Sequence, residues 1–422
     1  MTDSRYDDLI DTISEGIWRN RAPGTEPLAH PAGRDAAIAS IEHRVVDGNF
    51  PWNLITVETE DGAYGVGEAY PGPVDSVVDF LEPGLAGENP FEVTRVVDHA
   101  NQLLSNFGGT DGYAQAAVSG IETALWDLVG RETGLPVSQL LGGKHRDAIR
   151  VYVDCHAGEH VGDARDVDDP AALYDPAAYA AEAREVVDDG FDALKFDLDV
   201  PHGEEDTASR RLSNAAVRHK ADIVEAIREE IGPDPLLSVD LHWNFTVETA
   251  TRLGRKLDPY DLAWIEDPVP PEDPASHRAV SEAIETPVLT GENRTRLEGF
   301  LPFLEGAADL VSPDVQKCGG LAEFRTIAAV AESKSVPVVP HNLSGPVGTA
   351  ATAHACAAVP GAVAMEWHAR EVDWFEDLHR GDPLIRDGAV RVPEGPGLGL
   401  DLDPDAVNER LAPEAAPFDP PA

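Results

Sequence analysis

The sequence predicts an α/β fold, a closed barrel of parallel strands alternating with helices, preceded by a smaller α+β domain. Three observations carry this. After Arg146, short apolar runs recur eight times with helical stretches between them. Before Arg146, strands come first and helices follow. Three of the apolar runs are followed directly by a carboxylate at matched spacing, Asp240, Glu266 and Glu292.

At 422 residues the chain exceeds one ordinary domain. Residues 1–35 are expected to be poorly ordered, with a short helix at 7–18. Strand character begins at Ile38. Residues 54–60 are β-prone, Asp61-Gly62 is a hairpin signal, and 63–68 read as the return strand. Helices are expected at 74–81, 92–107 and Tyr113–Thr133, the last with Ile121, Leu125, Trp126 and Leu128 suited to a buried face. Residues 36–145 therefore read as one α+β domain. The eight apolar runs that follow are 149–153, 193–196, 236–239, 262–265, 287–289, 310–311, 336–339 and 362–365. Such alternation implies right-handed crossovers and a parallel sheet. Eight units in residues 146–379 suit a (β/α)₈-type barrel, whose usual size is about 250 residues. No GxGxxG or Walker loop supports an open sheet instead. Residues 380–422, rich in Pro, Asp and Ala, are expected to pack back on the first domain and then fray.

The charge balance excludes some classes of partner. Seventy-seven acidic residues face 32 basic ones, for a formal net charge of -45, and only six of the basic residues are lysines. A nucleic-acid binder needs the opposite sign, and an anionic membrane would repel this chain. Self-repulsion on this scale destabilises a compact fold unless salt screens it, which points to a halophile's cytoplasm. Cys155, Cys318 and Cys356 are widely spaced, which suits a reducing compartment and suggests neither disulfides nor zinc. The first residues lack a basic-then-apolar leader pattern, and no apolar run approaches the roughly 20 residues of a membrane span.

A polar residue just after a barrel strand falls at the C-terminal face, where barrel enzymes keep their sites. Asp240, Glu266 and Glu292 are spaced by 26 and 26 residues, close to the roughly 30 of one strand–helix unit. Three neighbouring strands thus aim three anions at one point, an arrangement that needs a cation. Oxygen-only ligands favour a hard ion, and we expect one Mg²⁺.

The chain resembles the enolase superfamily, in its mandelate racemase-like branch, over roughly residues 36–380. In the first domain the matching segments are Pro51-Trp52-Asn53-Leu54 through Gly67-Glu68-Ala69, Gly120-Ile121-Glu122-Thr123-Ala124-Leu125-Trp126-Asp127, and Leu140-Leu141-Gly142-Gly143. In the barrel they are Ser238-Val239-Asp240, Trp264-Ile265-Glu266-Asp267-Pro268, Thr290-Gly291-Glu292 and Asp314-Val315-Gln316-Lys317-Cys318-Gly319-Gly320. The resemblance implies an α+β capping domain on a (β/α)₇β barrel, with the metal on the same three acids. It also implies a Lys or His base that removes a proton beside a metal-held carboxylate, the general chemistry of this superfamily. The family commonly forms symmetric assemblies, so a homo-oligomer is expected.

Asp314 ends the sixth strand and His341 the seventh, and a carboxylate beside an imidazole fixes its tautomer and raises its basicity. The resemblance makes this pair the base. His242 lies two residues beyond Asp240, so in an extended segment the two share a face. Asp-x-His here resembles acid-sugar dehydratases, in which the His protonates a departing hydroxyl. Lys195-Phe196-Asp197 ends the second strand where family racemases and cycloisomerases carry Lys-x-Lys, so the expected second base is missing. Two readings stand for Lys195: contact with the substrate carboxylate, or an ion pair with Asp197. Glu366, after the eighth strand, corresponds to a Glu that hydrogen-bonds the substrate carboxylate as charge builds there. Asp197, His156, Trp52 and Asn49 are candidate substrate contacts. His156 and Trp52 also admit plain packing roles. Together these readings predict a Mg²⁺-dependent dehydratase that converts an aldonate to a 2-keto-3-deoxy acid. A hydroxy-acid racemase or epimerase, and a non-catalytic metal-binding member of the fold, are the alternatives.

Overall fold

A computed structural model describes residues 36–106, 109–155, 174–200, 210–413 and 415–420. The expectations for residues 1–35 and for His156 lie outside the described residues.

The first sheet is an antiparallel meander of β1 (Ile38–Asp47), β2 (Pro51–Thr59) and β3 (Tyr64–Ala69), with the turn at Asp61-Gly62 where expected. Helices α1 (Asp75–Leu85), α2 (Val93–Asn106) and α3 (Tyr113–Thr133) cover it. Strand β3 lies directly on α3. A Cβ at Gly65 would sit 2.1 Å from Ala124 O, and one at Gly67 would sit 2.1 Å from Gly120 O. Only glycine allows that approach.

The second sheet is the barrel. Parallel strands β4 (Ala148–Cys155), β5 (Ala193–Asp197), β6 (Leu236–Asp240), β7 (Ile265–Glu266), β8 (Val288–Thr290) and β9 (Leu310–Val311) pair in sequence. The seventh position is reduced to bridges, Val311 to Val338 and Val338 to Ala362. Strand β10 (Met365–Trp367) then pairs with β4 and closes the ring. Helices between the strands form the outer layer. Two of them, α4 (Leu321–Ser333) and α5 (Pro346–Ala357), follow the sixth and seventh positions.

Strand alternation divides the barrel side chains into two sets. Leu194, Phe196, Leu237 and Val239 face the outer helices in the main core. Tyr152, Ala193, Trp264, Leu289, Val339 and Ala364 form a separate apolar cluster that serves as the barrel's floor. Two residues beyond five of these stand Asp154, Lys195, Glu266, His341 and Glu366, all buried. One period-2 pattern thus lays an apolar plug and sets the polar residues on top of it.

The C-terminal segment touches both domains. A hairpin of β11 (Ile385–Arg386) and β12 (Ala389–Arg391) pairs antiparallel with β4, while Leu411 bridges to Val46 and Arg44 Nε donates to the carbonyls of Ala416 and Pro417.

Two buried glutamates clasp the domains together. Glu68 of β3 accepts hydrogen bonds from Gly345 N (2.7 Å) and Gly348 N (2.8 Å), at the start of α5. Glu122 of α3 accepts from Leu321 N (2.8 Å) and Ala322 N (3.0 Å), at the start of α4. Helix N-termini suit anions, but burial still pushes both carboxyls up to about 7.

Candidate active site

Asp240, Glu266 and Glu292 converge at the C-terminal mouth of the barrel, each offering an oxygen within 4.8 Å of the others'. All three are buried. Glu292 stands three residues past Leu289 rather than two, because Gly291 (φ 137) turns the chain between them. Both Glu266 oxygens are buried and accept no hydrogen bond. Burial, reinforced by Asp240, Glu366 and Glu292, drives the Glu266 carboxyl well above the usual range, although Lys195 opposes the shift. Three converging buried carboxylates, Glu266 with both oxygens free of hydrogen bonds, fit a hard divalent cation.

Lys195 projects into the same space. Its Nζ lies 2.5 Å from Glu366 Oε1, 3.0 Å from Asp240 Oδ2, 3.3 Å from Glu266 Oε2 and 3.5 Å from Asp154 Oδ1. Burial works against its charge, but these four carboxylates outweigh it and hold the ammonium protonated. Its partners are the site acids, so the ion pair with Asp197 entertained from sequence is replaced by this cage.

On one side stands His341. Its Nδ1 is 2.6 Å from Asp314 Oδ2, and the other Asp314 oxygen accepts from Gln316 N at 2.7 Å. The Asp314 contact keeps a proton on Nδ1 and leaves Nε2 as the reactive nitrogen, 3.6 Å from Glu292 Oε2 and 3.8 Å from Glu366 Oε2. Burial lowers the imidazole's proton affinity, but Glu292, Glu366 and Asp314 overcome it and raise the pKa to about 9.

On the other side stands His242, in a turn where both it (φ 40) and Trp243 (φ 59) take left-handed backbone angles. Its Nε2 lies 3.7 Å from Asp240 Oδ2 and 3.9 Å from Asp197 Oδ1, and its Nδ1 is 3.2 Å from Asp199 Oδ1. Asp240 is the largest influence. With Asp199 and Asp197 it outweighs burial and pushes the ring's pKa up to about 12. Burial, and then Asp154, raises Asp197 well above the carboxylate range.

The site therefore gathers a carboxylate triad that could hold a cation, an ammonium and two histidines. Residues 178–406 match the profile of the enolase C-terminal domain-like family, and residues 45–142 match the mandelate racemase / muconate lactonizing enzyme N-terminal domain. The chain belongs to the enolase superfamily. D-xylonate dehydratase of Haloferax volcanii is 42% identical over 97% of this chain and 98% of its own length. D-gluconate dehydratase of Thermoproteus tenax is 32% identical over 85% of this chain and 68% of its own. The crystal structure of a mandelate racemase/muconate lactonizing enzyme-like protein from Rubrobacter xylanophilus superposes with a TM-score of 0.85. It shares 36% identity and covers 91% of this chain and 100% of that one.

Within this enolase-superfamily frame most of the expected residues meet: Asp240, Glu266, Glu292, Lys195, Asp197, His242, Asp314, His341 and Glu366. Asn49 reaches the rim, where its Nδ2 donates to His368 O at 2.9 Å. Trp52 takes the packing role that the sequence also admitted. It is buried in the seam between the domains, with Trp374 at 5.4 Å, Phe375 at 6.0 Å and Gly345 against its ring, because its indole fills the space under the clasp. Several superfamily-site neighbours escaped the sequence reading. Asp154 is 2.6 Å from His368 Nε2. Tyr70 tilts over His341 at 5.9 Å and carries Lys317 Nζ 3.9 Å above its ring. The period-2 rule would have found Asp154, His368 and Asp199, which lie two residues from Tyr152, Glu366 and Asp197 respectively. Tyr70 has no such signal, since it arrives from the capping domain.

Proposed function

We propose that this protein is a Mg²⁺-dependent sugar-acid dehydratase that removes water from an aldonate to give a 2-keto-3-deoxy acid. The observation that carries the reading is the pair of histidines set on opposite sides of the carboxylate triad, each backed by its own aspartate. Asp240, Glu266 and Glu292 would hold the ion, which when bound supplies the positive charge that makes a hydrogen beside a carboxylate acidic. His341 Nε2 takes the C2 proton, while Asp314 holds the proton on Nδ1. Lys195 faces the negative charge that builds on the substrate carboxylate. His242 gives the proton that lets the C3 hydroxyl leave as water. The resulting enol tautomerises to the ketone.

A racemase needs an unprotonated base on the second face. The second strand ends in Lys195-Phe196-Asp197, with an acid where family racemases carry their second Lys, which supports dehydration over racemisation. The named relatives act on five- and six-carbon aldonates, and D-xylonate is the first substrate to test. Incubation of an aldonate panel with Mg²⁺ in molar KCl should yield a 2-keto acid, detected by its carbonyl reagent and by NMR. Epimerised substrate without keto product would establish the racemase instead. We read the net charge of -45 as adaptation to molar salt in a halophile's cytoplasm. The melting temperature should climb with KCl, and full stability in dilute buffer would remove that reading.

A further inference from the structure

We propose that Asp199 is the positioning residue for His242, forming with it a second Asp–His pair that directs the proton to the departing hydroxyl. The inference rests on the dehydratase reading of the site. Lys195, Asp197 and Asp199 alternate along one extended segment, while Phe196, Leu198 and Val200 are buried in the outer core. The segment stays paired beyond β5, since Leu198 N donates to Asp240 O at 2.9 Å. Asp199 is thereby held level with the turn that follows Asp240, where His242 stands.

The contacts are specific. Asp199 Oδ1 lies 3.2 Å from His242 Nδ1, and its other oxygen accepts from Asn244 Nδ2 at 2.5 Å. Asn244 belongs to the same turn as His242, so Asp199 is fixed at both oxygens. His242 N donates to Asp240 Oδ1 at 2.9 Å, which pins the backbone of the ring's residue to a metal-binding carboxylate. With an acceptor fixed at Nδ1, that nitrogen keeps its proton, and the proton available for transfer sits on Nε2. Nε2 is the nitrogen that faces Asp197 and Asp240. The arrangement mirrors Asp314 and His341, but there the free nitrogen receives a proton, and here it gives one.

In the step concerned, the C3–O bond breaks, its electron pair leaves with oxygen, and His242 Nε2–H supplies the proton that makes water. A substrate in which fluoride replaces that hydroxyl loses fluoride with the electron pair and needs no such proton. The experiment compares the wild-type protein with Asp199→Asn, Asn244→Ala and His242→Asn, in Mg²⁺ and molar KCl, on an aldonate and its 3-deoxy-3-fluoro analogue. Asp199→Asn should lower kcat for dehydration about 10- to 100-fold with KM within about twofold. Fluoride release should stay within about twofold of wild type, and Asn244→Ala should fall between. An equal loss on both substrates would make Asp199 merely structural and overturn the proposal. So would wild-type dehydration by Asp199→Asn alongside an inactive His242→Asn, which leaves the dehydratase reading intact. Wild-type dehydration by His242→Asn would remove His242 as the acid and the proposal with it, whereas absence of keto product from the wild-type protein on every aldonate would overturn the dehydratase reading itself.

Discussion

The two histidines of the site are built alike and housed differently. His341 and Asp314 are sealed, with side-chain exposures of 5% and 1%, whereas His242 and Asp199 stand at 37% and 17%. The sealed pair is also tied to the other domain: the clasps at Glu68 and Glu122 grip the helices that follow the two loops carrying His341 and Asp314. Among the described residues, the open pair is held by its neighbours on the barrel rim, Asn244 and Asp240. Under the proposed dehydratase reading, the difference is a division of labour. Taking a proton from carbon needs a dry, fixed base, because the acceptor must not be levelled by water. Delivering a proton to a departing hydroxyl tolerates solvent, and the water formed must leave by that side.

The strongest way to break this comparison is His341→Asn. Both C2 proton exchange in D₂O and dehydration should fall by about 10⁴-fold, and exchange at the wild-type rate would strip His341 of its role. His242→Asn should be gentler and asymmetric. Dehydration should drop about 10²- to 10³-fold while NMR still shows deuterium entering C2 of recovered substrate, and loss of that exchange would merge the two walls into one function. The smallest effect concerns the clasp. Glu122 binds its proton more tightly in the folded protein, at about 7 against 4.5 for the model carboxyl. The folded state therefore carries more protons between those values, and stability falls as pH rises through that window, by about 3 kcal/mol. Above the folded value the cost is constant. Glu68 behaves likewise. Urea unfolding from pH 5 to pH 7 in KCl should show a shallower slope for Glu122→Gln, and an unaltered slope would remove Glu122 from this account.

Much of the site was legible because barrel strands obey one rule. An apolar run followed by an acid gave Asp240, Glu266 and Glu292, and the same register gave Lys195, His341 and Glu366. Residues one step further out, Asp199 and His368, follow the same alternation but look like ordinary surface in a chain this acidic. The seventh strand reads clearly at 336–339, and although only Val338 forms bridges among the described residues, hydrogen bonds to Val311 on one side and to Gly361 and Val363 on the other hold it in the ring. Trp52 is ambiguous for the opposite reason. A large aromatic residue near a loop suits a ligand and a domain seam equally, and only three dimensions separate them. The C-terminal segment hid its hairpin for lack of length, since two- and three-residue strands carry no periodicity.

The glycines of β3 set a limit on how this protein diverges. Gly65 and Gly67 let the strand lie on the backbone of α3, and Glu68 follows directly in the same strand. Any side chain at those positions would lift β3, drag the Glu68 grip on Gly345 and Gly348, and shift the loop bearing His341. A methyl group in the cap, outside the pocket, would thus be felt as a misplaced base. Substrate preference is free to drift through rim residues such as Asn49, while the spine that carries the chemistry tolerates almost no added volume.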